Sequence, residues 1–131
     1  MKRFFLLCII FSISLTTLFL VNCQQPPKRS CMDFKTGKFK FSVIVSGDTL
    51  SSFVTRSEAI EVEYFQEQQD TSSLRWINNC EYVLKKLHPK NRVEEKSVHI
   101  KILTTTDSSY TFEFGAVKES KRLRGTAIKL N

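Results

Sequence analysis

The chain predicts an all-β fold: about eight short antiparallel strands in a meander, closed into a small barrel or flattened into a two-sheet sandwich. Three observations predict it. Apolar and polar residues alternate with a period of two in "GKFKFSVIV", "AIEVEYF", "VHIKIL" and "YTFEFGA", the pattern of half-buried strands. Polar turn clusters separate these runs at spacings of roughly 8 to 12 residues. A meander also leaves two unpaired edges, and closure into a barrel removes them.

The first element is a leader. Lys2 and Arg3 form a positive start, and Phe4 to Val21 follows as 18 uncharged residues broken only by Ser12, Ser14, Thr16 and Thr17. This predicts a secretory signal over 1–22. The run is also just long enough to span a bilayer as a retained anchor. Leu20-Val21-Asn22-Cys23 looks like a bacterial lipobox, with an aliphatic residue three before the cysteine. Asn22 departs from the usual small residue before it. Cys23 is the expected lipid-attachment site: its thiol can form a thioether to diacylglycerol, and its freed amine can take a further acyl chain. Each buried methylene contributes about 0.8 kcal/mol, so two or three chains hold firmly where one holds marginally. The competing readings are a cleaved, unacylated chain and a Cys23 that forms a disulfide. Gln24, rather than Asp, after the cysteine points by resemblance to envelope sorting rules toward the outer membrane.

Residues 23–30, ending in "QQPPKRS", read as a lipidated tether. Pro26-Pro27 favours an extended backbone and cannot start a sheet ladder. Lys28 and Arg29 would face headgroups. Residues 31–131 then form one β domain, of ordinary size for a single core.

Within that domain Phe39, Phe41, Val43 and Val45 share one face of the first strand. Gly47-Asp48 turns the chain, and a ragged second strand covers Leu50 to Thr55. In "AIEVEYF", Ile60, Val62 and Tyr64 form the apolar face, opposite Glu61 and Glu63. "QEQQDTSS" reads as a polar turn, and "LRWIN" places Leu74 and Trp76 on one face. "CEYVLKKLHP" fits two patterns. Cys80, Val83, Leu84 and Leu87 make a helical stripe, whereas Cys80, Tyr82 and Leu84 share a strand face. Hairpin distance from the preceding strand favours the strand, with Asn78-Asn79 as its turn. "VHIKIL" buries Ile100 and Ile102, "YTFEFGA" buries Phe112 and Phe114, and "LRGTAIKL" closes the domain.

Cys31 and Cys80 are the remaining thiols, since Cys8 leaves with the leader. In an exported domain such a pair suggests a bridge. Closing a loop of roughly 50 residues stabilises by about 4 kcal/mol on the chain-entropy reading. The alternative is two buried free thiols. A metal site is not expected: Cys80 and His88 are too few ligands, and no Cys-x-x-Cys or His-x-x-x-His pair accompanies them.

The whole chain carries 20 basic and 13 acidic side chains, a net charge of +7. Without Lys2 and Arg3 the balance is +5, a mild excess that suits anionic headgroups or an acidic polysaccharide. Lys85, Lys86, Lys90, Arg92 and Lys96 form one basic region and "KESKRLR" another, both read as solvated faces. Nucleic acid is not an expected partner of an exported chain.

No catalytic constellation is visible. Glu61 and Glu63 point the same way and could serve as acid and base, but they read as a solvated strand face. His88 and His99 stand without a surrounding motif. No cofactor is implied.

"DFKTGKFKF", "TRSEAIEVEYF", "SSLRWINNCEYVLKKLHP" and "KILTTTDSSYTFEFG" resemble a family of short, exported, mostly uncharacterised lipoproteins of Gram-negative bacteria. The likeness covers most of Cys31 to Lys129 and is most specific over Arg75 to Tyr82. It implies an N-terminal lipobox and an all-β domain. Some such chains carry the label "DNA topoisomerase IV". A topoisomerase needs a tyrosine nucleophile in a large basic domain with ATP and metal sites, and these residues supply none of them. A fainter likeness, carried by Gly37-Lys38-Phe39, is to lipocalin-type barrels.

Two functions follow as expectations. One is a non-catalytic structural or interaction lipoprotein of the cell envelope, facing the periplasm, with a filled interior. The other is a binder of a small apolar ligand, with Phe39, Phe41, Trp76, Tyr82, Phe112 and Phe114 as cavity or core. Interior volume separates them: eight strands leave room either for packed side chains or for one small ligand.

Overall fold

The computed structural model describes residues 28–131. The leader, Cys23 and the tether up to residue 27 lie outside the described residues. Among the described residues a 3-10 turn, Cys31–Phe34, precedes eight strands. They are β1 (Gly37–Val45), β2 (Asp48–Arg56), β3 (Ile60–Phe65), β4 (Gln68–Asn78), β5 (Glu81–Lys86), β6 (Val98–Thr105), β7 (Ser109–Ala116) and β8 (Leu123–Leu130). Each pairs antiparallel with the next, and β8 returns to β1 with Phe41 opposite Ala127 and Val43 opposite Gly125. The sheet is a closed barrel, so every strand has two neighbours and no edge is left for another chain.

The strand reading of Cys80 to Leu87 holds, as β5. Three turns differ from the sequence expectation: β1–β2 turns at Ser46-Gly47 rather than Gly47-Asp48, β4–β5 at Asn79-Cys80 rather than Asn78-Asn79, and the third lies between β3 and β4. The polar segment Gln68–Ser73 is not a turn but the first half of β4, paired along its length with β3. The turn is only Gln66-Glu67, both at positive φ (44° and 64°). That is the twist a two-residue hairpin demands, here imposed on residues with side chains. Ser46-Gly47 makes the equivalent β1–β2 turn at 53° and 89°.

A larger correction concerns β3. Its apolar residues were expected inside, and the barrel places Glu61 and Glu63 there instead. Tyr64 is 46% exposed beside Phe53 at 54%, a cross-strand pair on the outer wall. The cause lies in the neighbouring strand. Val54 and Arg56 point inward from β2, and the residue opposite Arg56 is Glu61. A one-residue slip would exchange the faces of β3 and leave a buried guanidinium without a counter-ion, a penalty of several kcal/mol.

The two ends differ. Connections β2–β3, β4–β5 and β6–β7 lie at one end, where the chain also enters. There Arg29 Nη1 donates to the Ile102 carbonyl at 2.7 Å, Ser30 N donates to Thr105 Oγ1 at 2.9 Å, and Cys31 is bonded to Cys80. The 3-10 turn drives Phe34 into the barrel, where its ring meets Tyr110 at 5.1 Å and Phe39 at 6.5 Å. This end is plugged. The hairpins β1–β2, β3–β4 and β7–β8 and the long β5–β6 loop surround the other end.

Candidate functional site

The site is the barrel interior, and its floor is built on Arg56. This side chain is 2% exposed and donates in four directions. Nε reaches Glu61 Oε2 at 2.6 Å, and Nη1 reaches the Phe34 carbonyl at 2.9 Å. Nη2 reaches Tyr82 Oη at 2.6 Å and Tyr110 Oη at 3.0 Å. The guanidinium also lies over the rings of Tyr82 (4.6 Å) and Phe39 (4.8 Å), within cation–π range. Burial alone would lower its pKa. Tyr82, Glu61 and Tyr110 more than offset that, so Arg56 stays charged. Burial lifts the Glu61 carboxyl, with Arg56 pulling it down and the charge of Glu63 adding a smaller upward push. Burial likewise raises both phenols, so Tyr82 and Tyr110 remain protonated.

Above this floor the interior is not filled. A cavity of about 450 Å³ lies between the floor and the open end. Its lining is sided. Phe41 and Val43 of β1, Leu84 of β5, Val98 and Ile100 of β6, Phe112 and Phe114 of β7 and Leu123 of β8 make an apolar wall. Ser52 of β2, Glu61 and Glu63 of β3 and Ser72 of β4 make a polar one. Ser52 Oγ donates to Glu63 Oε1 at 2.6 Å. Lys86 and Lys96 stand at the rim. Lys86 pairs with Asp70 at 2.9 Å and Glu94 at 3.3 Å, and Lys96 pairs with Glu119 at 2.6 Å.

Gly125 explains how the wall accommodates its aromatics. A Cβ there would stand 2.7 Å from Phe112 Cζ and 2.9 Å from the Ser42 carbonyl oxygen. The Phe112 ring therefore occupies the space a side chain on β8 would take.

The six aromatic residues named from sequence divide between the two ends. Phe41, Phe112 and Phe114 line the cavity. Phe39 and Tyr82 belong to the floor, and Trp76 stacks on Tyr82 at 4.7 Å with Lys35 Nζ at 5.1 Å over its ring. Trp76 Nε1 is buried and makes no hydrogen bond. Cys31 and Cys80 are the disulfide, with Cα atoms 5.2 Å apart.

Arg56 was not singled out from sequence. Its only signal was a basic residue at the end of a strand whose apolar face it shares. Of the two carboxylates expected on a solvated face, Glu61 is buried at the floor, whereas Glu63 is exposed on the wall of the open cavity. Neither histidine lines the cavity. His99 points outward, where Nε2 lies 3.1 Å from Glu81 Oε2, and His88 is exposed in the β5–β6 loop. Among the described residues no three His, Cys, Asp or Glu side chains gather to hold a metal ion. The basic region of the β5–β6 loop is partly neutralised by the rim pairs of Lys86 and Lys96.

Compared with protein-family models, with curated protein sequences and with solved structures, the chain matches none.

Proposed function

We propose that this protein is a binder of a small ligand with an apolar body, exported and held on the envelope by lipid at Cys23. The cavity carries the reading. Small-molecule sites are concave, mostly apolar and about 300–1,000 Å³ in volume, with a few polar groups for orientation. A cavity of about 450 Å³ with an aromatic and aliphatic wall facing two carboxylates and two serines has that composition.

The anchor rests on Leu20-Val21-Asn22-Cys23 and on the resemblance to short exported lipoproteins, and Gln24 favours the periplasmic face of the outer membrane. Incorporation of labelled fatty acid into the native chain, and its loss in Cys23→Ser, tests it. Equal labelling of both would remove the anchor from Cys23.

Binding is tested with N-phenyl-1-naphthylamine, a neutral apolar dye. Saturable one-to-one enhancement of its fluorescence is expected, and Gly125→Leu, which pushes Phe112 into the cavity, should weaken it. A linear, non-saturating response equal in both proteins overturns the binding reading. A second reading, an interaction module, is favoured by the exposed Phe53 and Tyr64 pair on the outer wall. It becomes the better one if the dye does not bind.

A further inference from the structure

One carboxylate on the cavity wall is not matched by a cation among the described residues, and it specifies the ligand's polar end. Lining residues and their ion-pair partners comprise three cations, Arg56, Lys86 and Lys96, and five carboxylates, Glu61, Glu63, Asp70, Glu94 and Glu119. Arg56 is committed to Glu61, Lys96 to Glu119, and Lys86 to two acids at once. Among the described residues Glu63 has no cation. It accepts a hydrogen bond from the Ser52 hydroxyl at Oε1, which leaves the second carboxylate oxygen open to the cavity.

Resting on the ligand-binding reading above, we infer that the ligand is a cationic amphiphile: an ammonium, amidinium or guanidinium head placed on Glu63, with its apolar body against Phe41, Phe112 and Phe114. The geometry suits this division. Glu63 stands on the polar wall, across the cavity from the aromatic wall, so a single molecule can satisfy both. A cationic head also offsets the repulsion between Glu63 and Glu61. A carboxylate or phosphate head would instead meet Glu63 directly, and the rim lysines that could attract it are already held by acids. A charge-assisted hydrogen bond between such a head and Glu63 is stronger than a neutral one.

Three ligands sharing one tail separate the possibilities: decylammonium, decanol and decanoate, each titrated below its micelle concentration at neutral pH and low salt. Decylammonium is expected to bind roughly 10- to 100-fold more tightly than decanoate. Glu63→Gln should collapse that gap. Raising salt should narrow the gap in the native protein, a readout that requires no variant to fold. Decanoate binding as tightly as decylammonium, or a gap unchanged in Glu63→Gln, overturns the cationic head. Failure of all three ligands to bind overturns the binding function itself. Decanol binding without any preference for the ammonium leaves that function standing and removes only this inference.

Discussion

The plugged end and the open end of the barrel use the same alternating strands to opposite effect. At the plugged end every inward position is occupied. Phe34, Phe39, Tyr82, Tyr110 and Ile102 are almost fully buried, and the Arg56 guanidinium among them has four hydrogen bonds, one of them to the buried Glu61. At the open end the inward positions stop short of one another and leave a cavity. The difference teaches where stability and recognition are kept. Removing a group from the floor should be felt mainly as lost stability, and removing one from the cavity wall mainly as lost binding.

The largest effect should come from Arg56→Ala. It strands Glu61 in the interior and removes a donor from both phenols. Loss of one partner of a buried pair destabilises by about 3–5 kcal/mol, measured by urea unfolding. A loss under about 1 kcal/mol would mean that the floor is not the stabilising end. Cutting the Cys31–Cys80 bridge, by reduction or by the double serine variant, should cost up to about 4 kcal/mol. Its loop spans a sequence separation of 49, and the cut frees the strap that holds Phe34 in place.

Alkaline pH should act on the same end. Burial raises Tyr82 and Tyr110 above their ordinary value of 10.0, so the folded chain keeps protons that the unfolded chain has released. Their stabilising contribution is complete below pH about 10 and is lost as pH rises toward the folded values, by at most about 1.4 kcal/mol per pH unit for each phenol. Tyr82→Phe should lower the slope of urea midpoint against pH in this range. An unchanged slope would assign alkaline unfolding to other groups.

Smaller effects belong to the open end. Phe114→Ala should reduce stability by only about 1 kcal/mol, because the ring already borders open space, while weakening N-phenyl-1-naphthylamine several-fold. Equal loss at Phe114 and Phe39 would erase the contrast between the ends. Glu67→Gly, which relieves a side chain at positive φ, should stabilise by about 0.5–1 kcal/mol and leave binding unchanged.

Much of this fold was legible. Strict alternation in β1, β6 and β7 marks both the strands and their inward faces, and the expected pairing of Cys31 with Cys80 is the bridge observed. The first half of β4 was not legible, because Gln68–Ser73 contains no apolar residue to alternate. It is a strand because β3 and β5 pair with it. The facing of β3 misled for a different reason. Ile60, Val62 and Tyr64 are the apolar set, but their orientation is settled by a buried ion pair with Arg56, a contact across strands that no single run displays. The cavity was legible only as a question. The positions of Phe41, Phe112 and Phe114 say which rings point inward, not whether they meet in the middle.

The covalent link at Cys31 has one more consequence, on the proposed anchoring at Cys23. Seven residues separate the two cysteines, and the second is riveted to the base of the bowl. The bowl then stands foot to the bilayer with its lip toward the aqueous space. Cargo would have to arrive through water, handed over by a diffusing donor, rather than slip in sideways from the leaflet beneath.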